Sequence, residues 1–358
     1  MEQSSHQREV RLLDPTWSVS ELMARIAKAL VADGPALTLS PISAQTVASR
    51  IALIVTTTGS TGVAKEVGLT SAALIASAKA SNKFLGAEFG ATWSLALPLN
   101  HIAGINVLIR SLESGTLPIN VIGLEGKYPK VDFTSIVPTQ LYRALNGDEN
   151  LLQHLQSAKK VLVGGAALTH ELRNNAESMG ITIVESYGST ETSGGCIYDG
   201  TPLDGVEVEL VAGNRLGIRG KVLAHSYLNT EVELVNEDGW FISSDFAHLE
   251  GSKVIVDGRI DDVIVTGGEK VSLANIERVI SQSFPEIQCA IFAIDDAHWG
   301  QAIHCAIVGT RVAEEALNHL LEEECGSHAK IKGFIYCEEL PLIGIGKVDR
   351  AELARRVQ

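Results

Sequence analysis

Residues 51–67 read IALIVTTTGSTGVAKEV. The apolar, β-branched run Ile51 to Val55 predicts a buried strand. It empties into Thr56-Thr57-Thr58-Gly59-Ser60-Thr61-Gly62-Val63-Ala64-Lys65, a loop of hydroxyls, two glycines and one lysine. Glycine lets backbone N–H groups turn towards an anion with no Cβ in the way. Hydroxyls add short donors, and Lys65 adds a positive charge at the far end. Those are the ingredients of a phosphate cradle. A Walker A loop would need GxxxxGK[ST], but Glu66 follows the lysine and the glycine spacing differs. Standing alone, the same residues also suit a plain Gly/Thr turn.

Outward from this loop, strands and helices alternate as far as residue 191, which predicts a doubly wound parallel sheet. Upstream, Ser18 and Glu21 have capping-box spacing ahead of a short amphipathic helix. Downstream, the strand 92–97 runs into Pro98-Leu99-Asn100-His101-Ile102-Ala103-Gly104. The apolar helix 105–114 that follows carries Arg110, which is costly to bury without an anion unless it snorkels to the surface. The strand 159–163 ends in Gly164-Gly165-Ala166, and glycines at the carboxyl end of a parallel strand allow close approach of a ligand. The strand 181–185 ends in Ser186-Tyr187-Gly188-Ser189-Thr190-Glu191. Tyr187 can stack on a purine, Thr190 can donate to a phosphate oxygen, and Glu191 is a hard oxygen ligand suited to Mg2+.

Between residues 205 and 258 short β-branched runs separated by Gly, Asn and Asp predict antiparallel strands. They include Trp240-Phe241-Ile242-Ser243-Ser244-Asp245, whose carboxylate could take two hydrogen bonds from ribose hydroxyls. GRIDDVIVTGGEKV at 258–271 and PLIGIGKVDR at 341–350 complete the set. On its own, Lys347 in the last of these reads as a surface lysine beside a helix start.

Composition sets the outer limits. A chain of 358 residues that is 45% hydrophobic fits one large domain plus a smaller one, or two to three of average size. A net charge of −14 argues against nucleic-acid or anionic-membrane partners, so a polyanionic substrate must meet a local cationic site. No apolar run is long enough to span a bilayer, and the polar N-terminus lacks the apolar core of a signal peptide. The five scattered cysteines predict reduced thiols in a cytoplasmic protein.

Taken together and in order, these stretches resemble the adenylate-forming superfamily of acyl-CoA synthetases. TTGSTGVAK is similar to its [ST][ST]G[ST]TGxPK loop, with Ala64 in place of proline. YGSTE matches its YGxTE motif, WFISSD its [YW][YF]xTGD with Ser243 and Ser244 substituted, and 258–271 its GRxDDxIxxGGExI hinge segment. Residues 341–350 resemble its PxxxxGKxxR. The resemblance implies the α/β class. It implies a large N-terminal domain, 1–257, with a doubly wound mixed/parallel sheet and a small β-barrel-like part. A small, mobile α+β C-terminal domain, 258–358, would follow on a hinge.

It also implies roles. Thr57, Thr58, Gly59, Ser60, Thr61, Gly62 and Lys65 would hold the phosphates of ATP. Gly164, Gly165, Ala166, Ser186, Tyr187 and Gly188 would line the adenine. Asp245 and Arg259 would hold the ribose, Glu191 would hold Mg2+, and Thr190, a catalytic residue with it, would donate to a phosphate oxygen. His101, Arg110 and Gly188 would wall the acyl pocket. Asp261 would be the hinge, Gly267 and Gly268 would let the pantetheine of coenzyme A pass, and Lys347 would neutralise charge in the adenylation step. Fewer than sixty residues precede the phosphate loop, fewer than in most relatives. That short form, with PLNHIAG, Arg110 and IVPTQL at 136–141, looks most like the o-succinylbenzoate–CoA ligases of menaquinone biosynthesis. A homodimer over an exposed apolar face would compensate for the missing part. Two other outcomes stay open: an adenylating enzyme that loads a carrier protein, and a non-catalytic ligand-binding relative.

Overall fold

The computed structural model describes residues 7–57, 64–343 and 347–357. Thr58, Gly59, Ser60, Thr61 and Gly62 lie outside the described residues, as do the side chains of Asp261 and Lys347.

The capping box forms as its spacing predicts. Ser18 accepts from the Glu21 N–H, the Glu21 carboxylate accepts from the Ser18 N–H at 2.9 Å, and helix Val19–Leu30 follows. The strand Ile51–Thr57 does not join the parallel sheet, however. Residues Lys65–Thr70 fold back on it as an antiparallel hairpin partner, Thr57 opposite Lys65. The pair sits in a six-stranded sheet with Ala36–Thr38, Gln7–Leu12 and Thr46–Ala48 on one side and Ser226–Tyr227 on the other.

The parallel sheet begins at Trp93–Leu95. Its order is Ile183–Ser189, Lys160–Gly164, Phe133–Ile136, Trp93–Leu95 and Ile119–Asn120, all parallel, extended at one edge by antiparallel Gly194–Tyr198 and Thr201–Pro202. Successive side chains along a strand point to opposite faces. Val161, Val163 and Ile183 therefore pack with helices Pro138–Leu145, Glu149–Ser157 and His170–Ser178. Leu162 and Val184 face the other way, into a core shared with Val19–Leu30, Ser71–Leu85, Ile102–Glu113 and the six-stranded sheet. Helices cover both faces, which is the doubly wound arrangement.

Residues Val206–Val211, Arg215–Gly220, Phe241–Glu250 and Lys253–Arg259 make a four-stranded antiparallel sheet. Beyond it, a five-stranded sheet carries helices Leu273–Ser283 and Glu314–Cys325 on one face and Arg350–Val357 on the other. The apolar clusters of this last part draw only on residues after 263, and those of the preceding part only on residues before 257.

Candidate active site

Five parallel strands present their carboxyl ends at one edge of the seven-stranded sheet, the edge where open α/β sheets bind ligands. Gly164 and Ser186 are register partners there. A Cβ on Gly164 would come within 2.8 Å of the Ser186 carbonyl oxygen, and one on Gly188 within 2.1 Å of the Gly194 carbonyl oxygen. Both positions need a bare Cα to keep neighbouring backbones close. At the same edge His101 is the N-cap residue of helix Ile102–Glu113.

The strand Ile183–Ser189 carries Tyr187 to the antiparallel sheet, where its hydroxyl donates to Asp245 Oδ2 at 2.5 Å. Burial, reinforced by the Asp245 charge, pushes the Tyr187 phenol far above its ordinary range, so it stays a donor. Asp245 Oδ1 meets Arg259 Nη1 at 3.2 Å, and the two residues are opposite each other in neighbouring strands. Ser243, which replaces a threonine of the motif, keeps a hydroxyl in place: its Oγ accepts from the Asp245 N–H at 3.0 Å.

Lys65 and Glu191 approach through a residue that the motifs do not mark. Tyr227 lies in the strand paired with Lys65–Thr70, donates to Glu191 Oε1 at 3.1 Å, and offers its ring to Lys65 Nζ at 4.6 Å from the centroid. Burial and the Glu191 charge push the Tyr227 phenol up, which keeps this donor protonated too. Asn229 clamps the near end of the hairpin, accepting from the Glu66 N–H and donating to the Ala64 carbonyl. Tyr227 has only its place in the run 221–228, expected to form a strand, and Asn229 follows directly after that run.

Among the described residues no group of three or more His, Cys, Asp or Glu side chains could hold a metal. Mg2+ asks less than that, since it keeps several waters and takes one or two carboxylates plus substrate phosphates. Glu191 fits such a site.

Arg110 stands apart. It is 4% exposed, its guanidinium lies 4.6 Å from the Trp93 ring, and Nη1 and Nη2 donate to Ser81 and Ser135 hydroxyls at 3.3 Å each. Burial pulls its pKa down. Among the described residues no carboxylate pairs with it. It sits about 13 Å from His101 along the helix axis. Residues Ile102, Asn106 and Arg110, four apart, form one stripe of that helix along the segment from Ser193 to Tyr198.

Gly267 and Gly268, at φ +58° and +87°, form the two-residue turn between Val263–Thr266 and Glu269–Ser272. Both angles suit glycine, as a type I′ hairpin requires. Lys347 opens the strand Lys347–Val348, paired with Leu342–Ile343.

The chain is similar to several known proteins. A Mycobacterium tuberculosis protein named probable 2-succinylbenzoate–CoA ligase is 38% identical over 326 residues, covering 86% of this chain and 84% of its own. The Lactococcus lactis 2-succinylbenzoate–CoA ligase is 28% identical over 334 residues, covering 85% and 71%. A solved structure of E. coli MenE with bound OSB-AMS matches at TM-score 0.71 and 27% identity, over 88% of this chain and 72% of that one. The AMP-binding enzyme model matches residues 2–240, so with the parallel sheet, the hairpin and the carboxyl edge all inside that span, the chain belongs to the AMP-binding enzyme family.

Proposed function

We propose that this chain is an AMP-forming acid–thiol ligase that activates o-succinylbenzoate with ATP and transfers the acyl group to coenzyme A, a step of menaquinone biosynthesis. The observation that carries the reading is the approach of Lys65 to Glu191 through Tyr227, beside the carboxyl edge of the sheet. The similarity to proteins named 2-succinylbenzoate–CoA ligase supports the substrate.

In the first half-reaction a carboxylate oxygen attacks the α-phosphorus of ATP, and the bond to the bridging oxygen of pyrophosphate breaks. The protein's part is positioning and charge neutralisation. Thr57, Thr58, Gly59, Ser60, Thr61, Gly62 and Lys65 hold the phosphates. Glu191 would hold Mg2+, which would screen the phosphate charge, and Thr190 donates to a phosphate oxygen. Gly164, Gly165, Ala166, Ser186, Tyr187 and Gly188 receive the adenine, and the Asp245–Arg259 pair receives the ribose. Lys347 bridges the carboxylate and the α-phosphate.

In the second half-reaction the sulfur of coenzyme A attacks the acyl carbon. The bond to AMP oxygen breaks, and the thiol proton leaves to solvent. The part 258–358 turns about Asp261 between the halves, withdrawing Lys347 and bringing in the Gly267-Gly268 turn. Separate apolar cores before 257 and after 263 support two bodies able to turn against each other. His101 and Gly188 wall the acyl pocket. Arg110, buried with no described carboxylate partner, answers the second carboxylate of the substrate.

Pyrophosphate release from Mg·ATP across a panel of carboxylates, with and without coenzyme A, tests the reading. Release with o-succinylbenzoate, and a thioester only when coenzyme A is present, is expected. Release with a fatty or amino acid alone would reassign the substrate.

A further inference from the structure

The five-stranded sheet of the 258–358 part ends at the edge strand Ile287–Asp296. Outward backbone groups of an edge strand need partners. At Ile291 side chains supply both. The Ile291 N–H donates to Glu277 Oε1 at 2.7 Å, and the Ile291 carbonyl accepts from Arg350 Nε at 2.8 Å. Arg350 Nη2 then donates to both Glu277 oxygens, at 2.9 and 3.0 Å. Glu277 belongs to the helix on one face of the sheet, and Arg350 opens the helix on the other. The ion pair therefore clips the two helices together around the edge. Nη1 of the same guanidinium stands 3.6 Å from Asp262 Oδ1, in the last residue of the turn Ile260–Asp262.

Arg350 is also the near anchor of the lysine hairpin. Val348 pairs with Leu342, the Asp349 N–H donates to the Pro341 carbonyl at 2.8 Å, and the Asp349 carboxylate accepts from the Glu352 N–H at 2.9 Å. Leu353, one turn on, is fully buried against Ala290 and Phe292. Lys347 and Arg350 are three positions apart in the chain, so the lysine backbone stays within about 10 Å of the clip.

We infer that Arg350, held by Glu277 and tied by Asp262 to the hinge turn, is a positioning residue for Lys347 in the adenylation half-reaction. The inference rests on the reading that Lys347 acts in that half-reaction and not in the second. The clip needs a planar fork: one guanidinium serves a bidentate carboxylate, a backbone carbonyl and a second carboxylate at once. A lysine keeps the charge but loses the fork. Without it the hairpin loses its fixed distance from the hinge, and a misplacement of about an ångström costs on the order of 100-fold in rate.

The test uses the full chain and measures the halves separately: pyrophosphate release from ATP with o-succinylbenzoate, and thioester formation from the preformed acyl-adenylate with coenzyme A. Arg350→Lys and Glu277→Gln are expected to slow the first on the order of 100-fold and to leave the second near the unsubstituted rate. Lys347→Ala should give the same split. Equal losses in both halves would assign the clip to domain integrity alone and overturn the proposal, as would undiminished adenylation in Arg350→Lys. Should Glu277→Gln not fold, Arg350→Lys decides, because it keeps a cation opposite Glu277. Undiminished adenylation in Lys347→Ala would instead overturn the reading of Lys347 itself.

Discussion

The Tyr187 hydroxyl and the Asp245 carboxylate, 2.5 Å apart, join the parallel sheet to the antiparallel one. Asp245 is shared between this donor and Arg259. On the proposed function the same carboxylate also meets the ribose of ATP, so its part in stability and its part in ligand binding can be separated by substitution.

Tyr187→Phe keeps the ring and removes the donor. A hydrogen bond to a charged acceptor contributes about 1.5–3 kcal/mol, so chemical denaturation should register a loss of that order. The KM for ATP should change little, because the stacking surface remains. Asp245→Ala should instead raise the KM for ATP about tenfold or more, by the loss of charge-assisted bonds to ribose. A reversed pattern would remove Asp245 from the ribose site.

Gly188→Ala places a methyl group 2.1 Å from the Gly194 carbonyl oxygen and 2.7 Å from the Gly195 Cα, both backbone atoms. Neither can swing aside as a side-chain tip would. Forced overpacking of this kind costs about 1–3 kcal/mol. Adenylation should fall sharply with it, since the displaced strand carries Tyr187 and leads to Glu191. Wild-type melting and activity would mean that the register shift between Tyr187 and Gly188, where the strand meets Gly194–Tyr198, absorbs the methyl group.

His154 is 2% exposed, lying between the Ser94 hydroxyl at 2.9 Å and the Pro129 carbonyl at 2.8 Å. Burial pulls its pKa below the ordinary histidine value. The folded state therefore holds it neutral while the unfolded chain takes up a proton. Its stability contribution is complete above the unfolded pKa, near 6.5, and is lost as pH falls from there towards the folded value. In that window the slope is at most about 1.4 kcal/mol per pH unit for one proton. His154→Gln should flatten the fall of stability between neutral and mildly acidic pH, read by denaturation at a series of pH values. An unchanged slope would assign the acid sensitivity to other groups.

Arg110→Ala should raise the KM for o-succinylbenzoate far more than for a monocarboxylate such as benzoate. One charge-assisted contact contributes about 1.5–3 kcal/mol, so a difference of roughly ten- to a hundredfold is expected. Equal losses for both acids would take Arg110 out of the acyl pocket.

How far the fold is legible in the sequence depends on how local its causes are. The capping box at Ser18 and Glu21 acts over three residues, and the Gly267-Gly268 turn over two, so each can be read directly. The alternation of Val161, Leu162 and Val163 between two cores is likewise written in a period of two. The hairpin partner Lys65–Thr70 is harder, because it opens with Lys65 and Glu66 and has little of the look of a buried strand. Tyr227 and Asn229 were not legible as site residues, since their partners lie 36 and 163 residues away in the chain. Arg110 was legible as a charge in an apolar helix. Its partners, 29 and 25 residues distant, needed the packing of three elements. The Arg350–Glu277 clip spans 73 residues and closes only when the sheet edge lies between its two helices.

The proposed reaction runs in two steps through an acyl-adenylate. A rapid-quench experiment with ATP labelled at the α-phosphate, o-succinylbenzoate and no coenzyme A tests it most directly. A labelled acyl-adenylate formed together with pyrophosphate is expected, with its conversion to labelled AMP and the thioester once coenzyme A is added. Labelled ADP as the nucleotide product, or no labelled adenylate before coenzyme A is added, would contradict it.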